Sequence, residues 1–300
     1  NIYIFDFAMN FLYKKNKDIK FTLSHKVKLK THDLYYQEIK GLTKRLFIQI
    51  FRRPFILIIS TVQPLLWLLL FSALFQNAPI TFYTSTYKYK NFISAGIIVF
   101  TIFTASLNAG LPIIFDREFG FLNRFLCSPI TTRYSIIIAS CLNIIILSMS
   151  QVSIIMIVCQ LMGTFIININ NLLVITIILF LFSNCVTSTS LIFAIILPGH
   201  IELLAFIIII NLPLLFSSTA LAPLVFMPAW LQVVASINPL SYVIEIIRYN
   251  NTLKIFNTQS IIMNTVWGTI SLQQVLIIFC ILNSICFTIA QNLISKKFDE

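Results

Sequence analysis

An all-α membrane protein is the fold class that this 300-residue sequence predicts, and three observations carry it. Five stretches, 55–87, 91–115, 134–201, 203–244 and 255–295, contain no Asp, Glu, Lys or Arg. Hydrophobic residues make up 58% of the chain and charged residues only 10%, with a mean hydropathy of +0.91. Twelve of the 21 Lys and Arg residues lie between Lys14 and Arg53, just ahead of the first uncharged stretch. A bilayer span needs about 20 apolar residues, and charges near its centre are costly. Uncharged runs this long therefore read as spans.

The spans follow in order from length and polar breaks. The first covers about 55–76, with Pro54 at its mouth and Pro64 inside, where a kink is expected. The second covers about 92–115 and stops at Asp116-Arg117-Glu118. The stretch 134–201 is too long for one crossing, and Asn168, Asn170 and Asn171 break it into spans near 134–162 and 172–197. Pro198-Gly199-His200, followed by Glu202, forms a second polar turn ahead of a fifth span near 203–221. Pro223, Pro228 and Pro239 interrupt the apolar segment 223–251, which predicts a re-entrant pair of short, partly inserted helices, because broken backbone at membrane depth must be covered by protein or water. The last span, about 272–294, precedes a polar tail ending at Glu300.

Six crossings put both termini on one side. The twelve cations from Lys14 to Arg53, with Arg117, Arg124, Arg133, Lys296 and Lys297, place 17 of the 21 there, against Lys88, Lys90, Arg248 and Lys254 opposite. That excess marks the cytoplasm-like side, which in a plastid is the stromal one. The domain organisation is a basic arm, 1–34, and one transmembrane domain, 35–300. Within the latter, Leu42, Leu46, Phe47, Ile50 and Phe51 recur at helical spacing in the basic segment 35–53, the pattern of a helix lying in the headgroup layer. A plain juxtamembrane retention signal is the alternative. No cleavable signal peptide is expected, since basic residues throughout 14–30 separate the early apolar residues from any cleavage site, and Asn1 reads as the start of a fragment or processed product.

The distribution of charge excludes other classes. Basic and aromatic residues are not interleaved in a nucleic-acid-binding module, so the net charge of +11 points to membrane lipids and not to nucleic acid. The six cysteines contain no C-x-x-C pair, and His25, His32 and His200 all fall in expected water-facing positions, so no metal site is expected. No G-x-x-x-x-G-K-[ST] loop is present, so ATP is not bound by that route and no cofactor is expected in this chain. The fourth span carries Ser183, Asn184, Thr187, Ser188, Thr189 and Ser190; these polar groups must meet another helix or a watery path, and both readings stay open.

Two segments carry a resemblance. Residues 116–130, DREFGFLNRFLCSPI, resemble the loop between the second and third spans of ABC-2 type transporter permeases, with Arg117, Glu118, Gly120, Leu122, Arg124, Leu126 and Pro129 in order after the acidic Asp116. Residues 228–248, PAWLQVVASINPLSYVIEIIR, are similar to that family's downstream signature at Pro228, Trp230, Leu231, Gln232, Asn238, Pro239, Leu240, Tyr242, Glu245 and Arg248. Phe121 and Asn123 depart from the pattern, which commonly has Thr and an acidic residue there.

The resemblance implies a permease subunit that pairs with a second permease copy, as a homodimer or heterodimer, and with a separate ABC ATPase subunit holding ATP and Mg. It implies that 116–130 is the loop that docks on the ATPase, with Asp116, Arg117, Glu118 and Arg124 as charged contacts; an ordinary topology-setting loop is the bland alternative. It further implies that Pro223, Pro228, Trp230, Asn238, Pro239, Tyr242, Glu245 and Arg248 belong to a re-entrant gate, or to a structural plug, with Glu245 and Arg248 near its rim and three residues apart on one helix face. The expected cargo is amphiphilic or lipid-like, exported away from the ATPase side. A haem-export or cytochrome-assembly factor and an ATP-independent channel are the alternative functions. Heavy use of Ile, Asn, Lys and Phe favours an AT-rich genome, with a plastid membrane as the expected location and a bacterial plasma membrane as the alternative.

Overall fold

The computed structural model describes residues 31–52, 54–74, 89–121, 134–164, 169–252 and 260–297. These are overwhelmingly helical. In chain order they form α1 (Thr31–Phe51), α2 (Pro54–Leu74), α3 (Tyr89–Leu107), a 3-10 turn (Asn108–Gly110), α4 (Leu111–Glu118), α5 (Tyr134–Leu161), α6 (Ile169–Ile196), α7 (His200–Phe216), a 3-10 turn (Leu224–Phe226), α8 (Ala229–Ile237), α9 (Pro239–Thr252), a hairpin of β1 (Ile261–Thr265) and β2 (Gly268–Ser271), and α10 (Leu272–Lys297).

Five helical runs are long and apolar enough to cross a bilayer: 57–74, 89–118, 135–161, 172–196 and 272–293. The expected spans at these places are present, with ends shifted by a few residues. The fifth expected span differs. Helix α7 has 17 residues, about 25 Å of rise, and stops at Phe216 rather than near 221. Pro213 lies inside its last turn, and the chain beyond Ser217 leaves the helical ladder, so its carbonyls find other partners (below). The pair α8–α9, where a re-entrant arrangement was expected, bends by 85° at Asn238, a geometry that fits a re-entrant loop or one broken span; the six expected crossings had counted the segment 203–221 and not this pair. The hairpin is an element the sequence reading left unassigned. Its β-branched residues flank a two-residue turn closed by Gly268, with Thr265 opposite Gly268 and Met263 opposite Ile270.

Helix α3 is the core of the bundle. Residues 92–103 are buried without interruption, so α3 reads as apolar on every face. Helices α2, α5, α6 and α9 pack around it. Two glycines let this happen. A Cβ on Gly110 would stand 2.7 Å from the Ser190 carbonyl oxygen and 2.9 Å from the Ala194 Cβ of α6, and one on Gly96 would stand 2.8 Å from the Ala220 carbonyl oxygen. Any larger residue forces these backbones apart.

Polar atoms inside the bundle tie helices to each other. The Ser183 hydroxyl of α6 lies 3.0 Å from that of Ser106 on α3 and 3.2 Å from that of Ser148 on α5. The Ser190 hydroxyl donates to the Leu107 carbonyl at 2.5 Å and accepts the Gly110 N–H at 3.0 Å. Near Pro64, which deprives α2 of one ladder donor, Gln151 of α5 donates to the Ser60 hydroxyl at 2.7 Å. Helix α1 rests on α5, burying Leu46, while Tyr36, Ile48 and Phe51 stay exposed.

The bundle has two chemically distinct ends. Arg45, residues 116–121 and residues 194–202 meet at one, hereafter the near end. Ala290, late in α10, clusters there with Ile113, Ile137 and Leu191, so the last turns of α10 lie at the near end, as does Arg45 of α1. Residues 89–92, 162–164, 219–221 and 248–251 meet at the far end, where Lys90 donates to Met162 O and Asn251 to Thr164 O.

Candidate functional site

At the near end, three consecutive charged residues close α4, and each is turned onto the chain itself. Asp116 accepts from the Arg45 guanidinium of α1 at 2.6 Å, with both side chains largely shielded. Arg117 reaches the end of α6: Nη1 donates to Ala194 O at 3.2 Å and Ile195 O at 3.1 Å, and Nη2 to Leu197 O at 2.5 Å and Pro198 O at 2.6 Å. Those carbonyls have no intrahelical donor, and the negative end of the helix dipole favours a cation there. Glu118 does the reciprocal job for α7. Its carboxylate accepts the His200 backbone N–H at 2.6 Å and lies 2.5 Å from His200 Nδ1, satisfying a donor at the start of the helix and placing a negative charge beside its positive pole.

One turn of helix therefore holds α1, the C-terminus of α6 and the N-terminus of α7. These charges were expected to face a partner; in the structure each also bonds within the bundle, and His200, expected to be merely solvated, is part of the clasp. What faces outward is Phe119, 79% exposed and stacked beside Phe115 at 6.1 Å. Phe121 is partly exposed, with the Arg45 guanidinium 4.6 Å from its ring centre. Gly120 has φ +68°, a left-handed conformation that ends the helix where glycine alone is unstrained. Leu122, Arg124, Leu126 and Pro129 lie outside the described residues.

The far end gathers most of the expected gate residues. Pro223 and Pro228 adopt extended conformations just ahead of the 3-10 turn and of α8. At the α8–α9 bend, Asn238 Oδ1 accepts the Leu240 N–H at 3.0 Å, capping α9, while Nδ2 donates to Leu214 O at 2.8 Å and to the Ser217 hydroxyl at 3.1 Å. Pro239 then opens α9, where its missing N–H costs nothing. The Tyr242 hydroxyl donates to Ser236 O across the bend. Trp230 is 69% exposed, on the outer face of α8.

Arg248 organises this end. It is buried, at 7% exposure, where the sequence reading placed it near a rim. Its guanidinium pairs with Glu245 at 2.6 Å, donates to Thr219 O at 2.5 Å, Ala220 O at 3.3 Å and Phe92 O at 3.2 Å, and lies 3.4 Å from the centre of the Phe92 ring. The carbonyls released where α7 stops thus find their donors here. Tyr89 supplies another, to Leu221 O at 3.3 Å. The spacing of Glu245 and Arg248 made their pairing legible; the capture of carbonyls from 219–220 had no local signal.

Of the polar residues singled out in the fourth span, Ser183 and Ser190 bond across helices as described, and Thr187 donates to the Ser183 carbonyl of its own helix at 2.6 Å. Asn184 is half-buried. Among the described residues no cluster of three or more His, Cys, Asp or Glu side chains is placed to hold a metal ion.

The described residues thus form a helical membrane bundle with its charged residues gathered at two ends, joined by one buried helical run. The sequence pattern of the ABC-2 type transporter family matches residues 37–252, and the chain belongs to that family. It is 46% identical over 292 residues, 97% of this chain and 100% of the relative, to a protein of Porphyra purpurea named "Putative transport permease ycf38". Proteins of the same name from Pyropia yezoensis and Cyanophora paradoxa are 46% and 45% identical, covering 88% and 89% of this chain and 90% and 92% of their own. These relatives come from algal plastid genomes.

Proposed function

We propose that the chain is the membrane subunit of an ATP-binding cassette exporter in a plastid membrane, moving an amphiphilic or lipid-like substrate with energy from a separate ATPase. The observation that carries this reading is the continuous run from Tyr89 to Glu118. At about 1.5 Å per residue this run is on the order of 45 Å long, and it touches both ends of the molecule. Its last turn clasps α1, α6 and α7; its first turns underlie Arg248 and the 219–221 backbone. A displacement applied at 116–121 is therefore delivered to the re-entrant pair through one rod.

The rod has one irregularity, the 3-10 turn at 108–110, where the Gly110 N–H bonds the Ser190 hydroxyl. Short 3-10 pieces within helices often mark hinges, and here the turn adjoins the crossing with α6. In this reading Phe119 and the residues after it enter a groove of the ATPase. The clasp residues Asp116, Arg117 and Glu118 transmit its movement, and two permease copies open a path between them. The α8–α9 bend, held by Asn238 and Arg248, closes the path at the far end, and the near end faces the stroma with both termini. ATP and Mg belong to the ATPase, and no step of the chemistry falls to this chain.

The test is purification of the chain from its native membrane in mild detergent. A stoichiometric ATPase that copurifies, and is lost on Phe119→Asp with the helical fold intact, supports the reading. A chain that arrives without any ATPase, or keeps it undiminished in that variant, refutes it.

A further inference from the structure

The hairpin between the re-entrant pair and the last span is not needed for the clasp, the rod or the gate, and its composition is unusual for a connecting turn. Two-residue hairpin turns are ordinarily filled by Asn, Asp or Gly. Here the turn positions are Val266 and Trp267, 55% and 64% exposed, and the special backbone angle falls on the next residue, Gly268, at φ +134°. Nothing in the turn geometry asks for a large apolar pair.

Position supplies the missing reason. Strand β2 ends at Ser271 and the span begins at Leu272 without an intervening loop. The tip is thus only a few extended residues, on the order of 15 Å, from where α10 leaves the bilayer. Strand β1 packs on α8 and α9, so the hairpin is fixed against the re-entrant pair. The neighbouring outer surface has the same character: Val225, Phe226, Trp230 and Ile237 are all more than half exposed. No charged residue occurs anywhere in 255–295, so the polar residues that flank the tip, Asn264, Thr265 and Thr269, are all neutral. An exposed, uncharged, Trp-tipped protrusion beside the mouth of a span matches the headgroup layer, where the indole buries its ring and keeps its N–H hydrated.

We propose that the Val266-Trp267 tip is a membrane foot. It inserts into the boundary between headgroups and acyl chains on the far side and, through β1, holds the re-entrant pair at a fixed depth. The occupant of this surface is phospholipid or glycolipid of the membrane the protein spans. This inference needs only the membrane embedding and stands apart from the transport reading.

The experiment uses the full chain with Trp67→Phe and Trp230→Phe, leaving Trp267 as its sole tryptophan, in phosphatidylcholine vesicles brominated either near the glycerol end or near the methyl end of the acyl chains. Bromine near the glycerol end is expected to quench Trp267 emission by about half, and more than bromine near the methyl end, with little quenching by aqueous acrylamide. Three results overturn the proposal: dominant acrylamide quenching, which places the tip in water; quenching by neither agent, which means protein covers it; and stronger quenching by the deeper bromines. Should the double substitution fold poorly, the same comparison is made between the unaltered chain and Trp267→Phe, where the loss of shallow-bromine quenching is read as a difference.

Discussion

Removing the Arg248 guanidinium tests how the far end is held. In Arg248→Gln the carbonyls of Thr219, Ala220 and Phe92 lose their donor, the Phe92 ring loses its cation and Glu245 loses its counter-ion. A stranded buried polar group costs about 1–3 kcal/mol, and breaking a buried pair by removing one partner costs about 3–5 kcal/mol in all. The 3.3 Å bond to Ala220 is weak, and Glu245 at 22% side-chain exposure recovers some hydration, so about 3–4 kcal/mol is expected. Glu245→Gln removes the counter-ion but keeps an acceptor for Nη1, all three carbonyl bonds and the Phe92 ring to compensate the guanidinium, so a smaller cost of about 1–2 kcal/mol is expected. Arg248→Lys falls between, because an ammonium cannot address Thr219, Phe92 and Glu245 together as the planar fork does. The assay is reversible unfolding in mixed micelles titrated with dodecyl sulphate. If Glu245→Gln proves as damaging as Arg248→Gln, the ion pair and not carbonyl capture holds this end, and the reasoning fails.

Other outcomes follow from the same contacts. Gly110→Val drives a side chain into the Ser190 carbonyl and the Ala194 methyl and should lower stability by about 1–3 kcal/mol in that titration, while Gly41→Val, with open space around its Cβ, should cost less than about 1 kcal/mol. Ser190→Ala should cost about 1–2 kcal/mol, since it strands the Leu107 carbonyl and the Gly110 N–H, whereas Asn184→Ala should leave the unfolding midpoint nearly unchanged. Arg117→Ala should reduce both stability and the stimulation of the partner ATPase, because it uncaps α6 as well as loosening the clasp. Phe119→Ala should reduce stimulation alone, its side chain being 79% exposed; purified protein assayed by unfolding and by ATP hydrolysis separates the two cases.

The spans were legible because lipid imposes a single strong rule, and 20-residue runs without charge leave few other readings. The re-entrant bend was legible from Pro228 and Pro239, and Asn238 supplies the cap that makes the break tolerable. The near-end clasp was only half legible. The sequence marks Asp116, Arg117 and Glu118 as important, but their partners, Arg45, the 194–198 carbonyls and His200, lie about 70 to 80 residues away, and nothing local points to them. The same holds for Arg248, whose spacing announces Glu245 but not Thr219 or Phe92. The early end of α7 follows from tertiary capture of the carbonyls of Thr219, Ala220 and Leu221, a competition that hydropathy does not register. The hairpin escaped notice because its turn lacks the usual Asn or Gly pair, the same peculiarity that points to its role.

The most direct test of the central claim is a photo-activated cross-linking residue placed at position 119, with a control at 230, in membranes containing the chain and its native partners. The account predicts an adduct with an ABC-type ATPase from position 119 and none from 230, stronger when ATP holds the ATPase closed. An adduct with that ATPase from 230, or none from 119 in a membrane where the two proteins copurify, would contradict it.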